Sequence, residues 1–235
     1  MMRQTGRHLF PPFIRICPQS RRETASLPRV NNVLKNPTTS SDVPSLKSLS
    51  LDEQLTAFRH NRFLAMPITG AIVWAGIGIA GMFLPAQLAV LSVYIGTGLI
   101  FYLALGVAKL VGEDLLARGR KGNLFDRIFL LSIAMSCLVF SIAIPFGLAD
   151  PTSVPLSVGV LTGLMWLPFS AMAGHWVGYC HAIARTLLLV AAWYLFPGYR
   201  FVALPAVIVA VYIVSMIALA RRWAVIQNSS PRSND

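Results

Sequence analysis

The chain has 235 residues, of which 55% are apolar and only 12% charged, with a mean hydropathy of +0.64. Soluble domains average about 25% charged residues, so this composition excludes a surface covered by water and fits one that faces lipid. The net charge of +11 does not read as nucleic-acid binding. Its cations gather in the N-terminal stretch and beside apolar runs, with no zinc-ligand spacing, Arg-rich helix or alternation of aromatic and basic residues. Anionic lipid headgroups are the partner this distribution fits.

Residues 1–50 carry Arg3, Arg7, Arg15, Arg21, Arg22, Arg29, Lys35 and Lys47 against Glu23 and Asp42, among many Ser, Thr and Pro. No secretory core segment is present in them. They read as an unstructured basic tail or as sequence upstream of the true start. An organelle transit peptide shares the Arg- and Ser-rich, acid-poor composition, but the prolines interrupt any amphipathic helix. Ser50-Leu51-Asp52-Glu53 then has the spacing of a capping box and opens an amphipathic interfacial helix, assigned to residues 51–64. Cys17, Cys137 and Cys180 are scattered, two of them within apolar segments, and read as reduced thiols rather than a disulfide framework.

Six apolar segments follow, at residues 65–84, 86–111, 128–149, 154–172, 177–196 and 201–220. A helix needs about 20 residues to cross ~30 Å of hydrocarbon. Alternating ten-residue strand patterns are absent, and backbone groups in lipid must bond internally. The expected fold is therefore an all-α integral membrane protein, with six transmembrane helices arranged as three short-turn hairpins over residues 65–222 and a polar tail at 223–235. Arg59, Arg62, Lys109, Arg118, Arg120, Lys121, Arg127, Arg221 and Arg222 fall on one side of these spans and only Arg200 on the other. That asymmetry puts both termini in the cytoplasm, or on the matching side of an organelle inner membrane.

The hairpins also show signs of repetition. Residues 91–99, LSVYIGTGL, and 156–164, LSVGVLTGL, agree at six of nine positions, and Val211-Tyr212-Ile213 matches Val93-Tyr94-Ile95. Such quasi-repeats are common in membrane folds, although apolar segments draw on few residue types. Gly159 and Gly163 form a GxxxG and the first span is rich in Gly and Ala, as close helix packing in lipid requires.

Polar residues of interest are concentrated in 166–185. Arg185 and His181 stand four apart on one helix face, with Trp166, His175 and Tyr179 nearby. If the fifth span began after Arg185, only eleven residues would remain, roughly 16 Å at 1.5 Å each. The span must reach back to about Val177, which leaves Arg185 inside the membrane at a cost of about 2.5–3.5 kcal/mol. All nine acidic residues fall outside the assigned spans. The cost is met by snorkelling, by carbonyls of a helix broken near Pro168, or by an anionic ligand. Two histidines without a third ligand do not make a metal site. No P-loop, GxSxG, HExxH or usable GxGxxG is present, so no catalytic residue, cofactor or enzyme activity is expected.

Residues 163–170 (GLMWLPFS), His175-Trp176-Val177-Gly178, His181-Ala182, Arg185-Thr186 and residues 191–197 (AAWYLFP) resemble a family of small bacterial multi-pass membrane proteins of unknown function, over about residues 50–225. The resemblance implies a bacterial cytoplasmic membrane and a six-span fold, and supplies no activity. Two functions fit the residues. One is a small transporter or permease-like carrier for a polar or anionic solute near Arg185 and His181. The other is a structural or accessory membrane protein that binds lipid, a partner subunit or a second copy of itself.

Overall fold

A computed structural model of the chain describes residues 49–116 and 122–229. The readings made for residues 1–48, for Arg118, Arg120 and Lys121, and for 230–235 lie outside the described residues. The described residues fold into helices joined by short turns, with no strand. In chain order these are α1 Leu51–Arg59, α2 Ala65–Phe83, α3 Ala86–Val111, α4 Leu124–Leu138, α5 Phe140–Ala149, α6 Val154–Gly163, α7 Trp166–Ala173, α8 Val177–Leu195 and α9 Arg200–Ser229.

Six segments among the described residues are long and apolar enough to cross a membrane: α2, α3, α4–α5, the stretch Pro151–Ala173 containing α6 and α7, α8, and Pro197–Asn228 containing α9. Two boundaries differ from the sequence reading. The third span begins at Leu124, so Asp126 lies in the first turn of a membrane helix rather than outside it. The last helix runs to Ser229, so the first residues of the expected polar tail are helical.

Local chemistry explains the ends. Ser50 and Glu53 form the expected capping box: the Glu53 amide donates to Ser50 Oγ at 3.3 Å and the Ser50 amide to Glu53 Oε2 at 2.8 Å. These hydrogen bonds hold the Glu53 carboxyl below its ordinary range. The interfacial helix is shorter than expected, ending at Arg59, and is docked rather than loose. Gln54 Oε1 accepts from the Leu124 amide at 2.9 Å, and Asn123 Nδ2 donates to the Gln54 carbonyl at 2.7 Å. Phe58 is buried among Phe63, Phe125 and Phe129. Pro168 clashes with the carbonyl four residues back and separates α6 from α7 at Leu164-Met165, where the amides make tighter bonds to carbonyls three residues earlier.

The first and last spans pack most extensively, and glycines make this possible. A Cβ at Gly70 would strike the Tyr212 ring, one at Gly78 would meet Pro205, and one at Gly81 would strike the Phe201 backbone. Spans four, five and six are the most enclosed and spans two and three the least. Tyr94 joins spans two and three near one end, donating to the Ala143 carbonyl at 3.0 Å and meeting Phe140 edge-on.

Contacts between turns define the two ends of the bundle. At one, Arg222 bonds the Asn61 carbonyl and Arg62 the Val111 carbonyl. At the other, Arg200 bonds Thr152 at 2.8 Å and lies 3.5 Å from the Trp193 ring centroid.

The glycines give a paired test of the packing. Gly76 has open space where a Cβ would stand, so Gly76→Ala raises the unfolding midpoint in detergent, worth about 0.5–1 kcal/mol from helix propensity. Gly81→Ala must displace the Phe201 backbone and lowers the midpoint, at about 1–3 kcal/mol. Equal responses would contradict the packing of span one on span six.

Candidate functional site

Arg185 lies in the middle of α8, eight residues or about 12 Å along the helix from Val177, and is wholly buried. The helix reaches back to Val177, the start expected from the sequence. Among the described residues no acidic side chain is a partner of Arg185. Its Nη1 donates to the Tyr212 hydroxyl at 3.3 Å and its Nη2 to Thr162 Oγ1 at 3.1 Å, while Nε has no acceptor among them. The guanidinium carbon sits 5.7 Å from the Trp74 ring centroid and 5.4 Å from that of Tyr212. Gly163 makes room for it, since a Cβ there would crowd Arg185 Cδ at 3.1 Å.

These contacts decide among the three ways of meeting the insertion cost. Arg185 does not snorkel and does not use the carbonyls freed by the break at Leu164. Each aromatic face contributes about 0.5–2 kcal/mol, and hydrogen bonds to a charged group about 1.5–3 kcal/mol. Together they match the order of the penalty, about 2.5–3.5 kcal/mol. The charge is tolerated, yet no opposite charge among the described residues neutralises it.

His181 shares the Arg185 face of α8 and is also buried. Its ring stacks on Trp166 with centroids 4.0 Å apart and planes 15° from parallel. Nδ1 lies 2.8 Å from Ser215 Oγ, and Ser215 gives its own proton to the Val211 carbonyl at 2.9 Å. The serine must therefore accept, which places a proton on Nδ1. Nε2 has no partner among the described residues.

Three of the five residues singled out from sequence, Arg185, His181 and Trp166, come together. His175 and Tyr179 do not join them. Tyr179 is two positions from His181, about 200° around the helix, and is exposed, its amide donating to Ser170 Oγ. His175 lies in the turn before α8, stacked on Trp176, where burial and then the Arg222 charge hold its imidazole below the ordinary range. Among the described residues no group of three or more His, Cys, Asp or Glu could hold a metal ion.

The sequence reading missed Trp74, Thr162, Tyr212 and Ser215. A signal for two of them, Thr162 and Ser215, was present in the repeat. Val93, Val158 and Val211 are aligned, and in each case the hydroxyl four residues on, Thr97, Thr162 or Ser215, donates to the valine carbonyl, at 2.5, 2.7 and 2.9 Å. Thr162 then accepts from Arg185 and Ser215 from His181. Thr97 and Thr162 face one space.

That space is a cavity of about 100 Å³ walled by spans one, two, three, four and six. Thr162, Tyr212 and Trp166 form its side nearest Arg185, and Phe101, Phe129, Phe140 and Phe169 are part of its apolar lining. Phe63 and Glu113 also line it. The Glu113 carboxylate accepts from the Leu64 and Ala65 amides at 2.7 and 3.2 Å, capping α2, where a negative charge is favoured. Phe63, held in the left-handed region at φ 59°, is a strained position for a bulky residue.

Ser215→Ala removes the acceptor of a buried N–H and lowers stability by about 1–3 kcal/mol, read as a drop in the unfolding midpoint in detergent. Nitrogen NMR of the His181 ring shows the proton on Nδ1. A proton on Nε2 alone would contradict the assigned bond.

No curated protein and no solved structure shows significant similarity to the chain. Residues 54–222, which include α2 to α8 and the whole of the Arg185 site, match a family of unknown function. The chain therefore belongs to that family, DUF7010, and is one of its members with six helices long and apolar enough to span a membrane.

Proposed function

We propose that the protein is a carrier that binds a small anion with an apolar body in the cavity beside Arg185 and moves it across the membrane. One observation carries this reading. A permanently ionised side chain is buried with neutral hydroxyls as its hydrogen-bond partners among the described residues, and both hydroxyl-bearing residues form the wall of the cavity. Tyr212 accepts from the guanidinium, and no protein group among the described residues takes its proton. An anion in the cavity would receive that proton in a hydrogen bond polarised by Arg185, while the phenylalanines would cover its apolar part. The size of the cavity suits a short or single-ring acid. No reaction is proposed, since a nucleophile with its base cannot be assembled from these side chains.

The competing reading is an accessory membrane protein with no transported solute. It is favoured by the complete enclosure of Arg185 between Trp74 and Tyr212. For orientation we favour both termini in the cytoplasm and a bacterial inner membrane or its organelle equivalent. This rests on Arg59, Arg62, Lys109, Arg127, Arg221 and Arg222 at one end against Arg200 at the other.

Benzenesulfonate, which stays ionised and does not cross lipid unaided, is the probe. Proteoliposomes of the parent take it up and the purified protein is stabilised by it. Arg185→Gln keeps its fold and loses both responses. Absence of both in the parent would rule the carrier out, and uptake unchanged in Arg185→Gln would exclude this site. Labelling of cysteines placed at Pro85 and Tyr199, in a background lacking Cys17, Cys137 and Cys180, is expected only from outside the cell. Labelling from the cytoplasm would reverse the orientation.

A further inference from the structure

A second cationic site lies where span four ends, span five begins and the last helix leaves its apolar stretch. A groove of about 560 Å³ opens there between α1, the turn from α7 to α8, and α9. Arg59, His60, His175 and Arg222 supply its polar wall and Val225 and Ile226 its apolar edge, and no carboxylate is in the lining.

The two arginines are held in place by backbone. Arg59 Nε donates to the Met172 carbonyl at 3.0 Å, at the end of α7. Its guanidinium lies flat on Gly174, where a Cβ would meet Cζ at 2.8 Å and Nη2 at 2.9 Å. Gly174 also has φ 63°, so the position needs glycine twice over. Both terminal amino groups of Arg59 have no protein acceptor among the described residues. Arg222 spends one N–H of each terminal nitrogen on the carbonyls of Asn61 and Arg59, and one on each remains. Two neighbouring cations are thus fixed side by side with N–H groups to spare. Nothing in the fold accounts for gathering like charges in this way, because either arginine alone could serve its carbonyls.

The depth of the groove selects the ligand. Trp176 is 59% exposed beside it, and the Trp223 ring lies under Arg62 and against His60, as aromatic residues do at a membrane–water interface. Exposed Val225 continues the groove along the outer side of α9. We infer that the groove binds the phosphate group of an anionic phospholipid, with Arg59 and Arg222 as its donors and the Val225 side taking the start of the acyl chains. This site does not depend on the cavity beside Arg185, and it would fasten α1 and α9 to one leaflet.

The test uses the full chain in zwitterionic detergent, titrated with phosphatidylglycerol, phosphatidylcholine or inorganic phosphate and followed by native mass spectrometry and thermal unfolding. Phosphatidylglycerol stays bound and raises the midpoint, and phosphatidylcholine does neither. Arg59→Gln and Arg222→Gln each weaken retention about fivefold, the loss of one cation near an anionic headgroup. Because both arginines also hold carbonyls, Thr56→Glu is the decisive variant. It places an anion in the groove, leaves those bonds intact, and abolishes retention at an unchanged midpoint without lipid. Arg221→Gln, outside the groove lining, retains lipid like the parent. Equal binding of the two lipids, retention by Thr56→Glu, or a loss in Arg221→Gln as large as in Arg222→Gln would overturn the site. Stabilisation by inorganic phosphate alone would make it a free-anion site and overturn the lipid assignment.

Discussion

A guanidinium cannot shed its proton, and in an apolar bundle it must be surrounded by groups that lower its energy without leaving gaps. Much of the interior is arranged around that requirement. Gly163 gives Arg185 the space to lie between helices, Trp74 and Tyr212 present ring faces, and Thr162 and Tyr212 supply oxygens. Those residues come from spans one, four and six, so the arginine on span five touches three other spans. The close approach of span one to span six, through Gly70 against the Tyr212 ring, sets the position of one of the two hydroxyls.

The same residues shape the cavity. Thr162, Tyr212 and Trp166 each have one role toward Arg185 or His181 and another in the cavity wall. A change of occupant would be felt by the arginine through a single hydroxyl layer. At the end nearest α1, Glu113 caps the first span while lining the same space, and Phe63 is strained beside it. Cations gather at this end of the bundle around Asn61 and Arg222, so charge outside the apolar zone and charge within it are handled by different helices.

Much of the fold was legible in the sequence because hydrocarbon imposes a length and forbids unpaired backbone. The starts of α2, α3 and α8 and the turns at Pro85 and Asp150 follow from those rules. The mid-helix position of Arg185 was legible for the same reason. Its surroundings were not. In a lipid-facing helix both faces are apolar, so periodicity does not say which face turns inward, and the rotation of α9 that brings Tyr212 and Ser215 to α8 has no local signature. Only the repeated hydroxyl four residues after a valine hinted at Thr162 and Ser215. Tyr179 and His175 were grouped with the site by closeness in sequence, and helix geometry separates them. Asp126 was placed outside the membrane helices because the third span was bounded at Arg127, whereas here it sits in the first turn, where the helix dipole favours it.

The central claim is that Arg185 is kept for the charge it offers the cavity rather than for holding the bundle together. Equilibrium unfolding of Arg185→Met measures this most directly, because methionine fills a similar space without charge. Replacing a buried ionic group by a well-packed apolar one is often neutral or stabilising. The account predicts an unfolding midpoint equal to or above that of the parent, with the response to benzenesulfonate gone. A midpoint lower by several kcal/mol of stability would show that the arginine is structural, and would contradict the account.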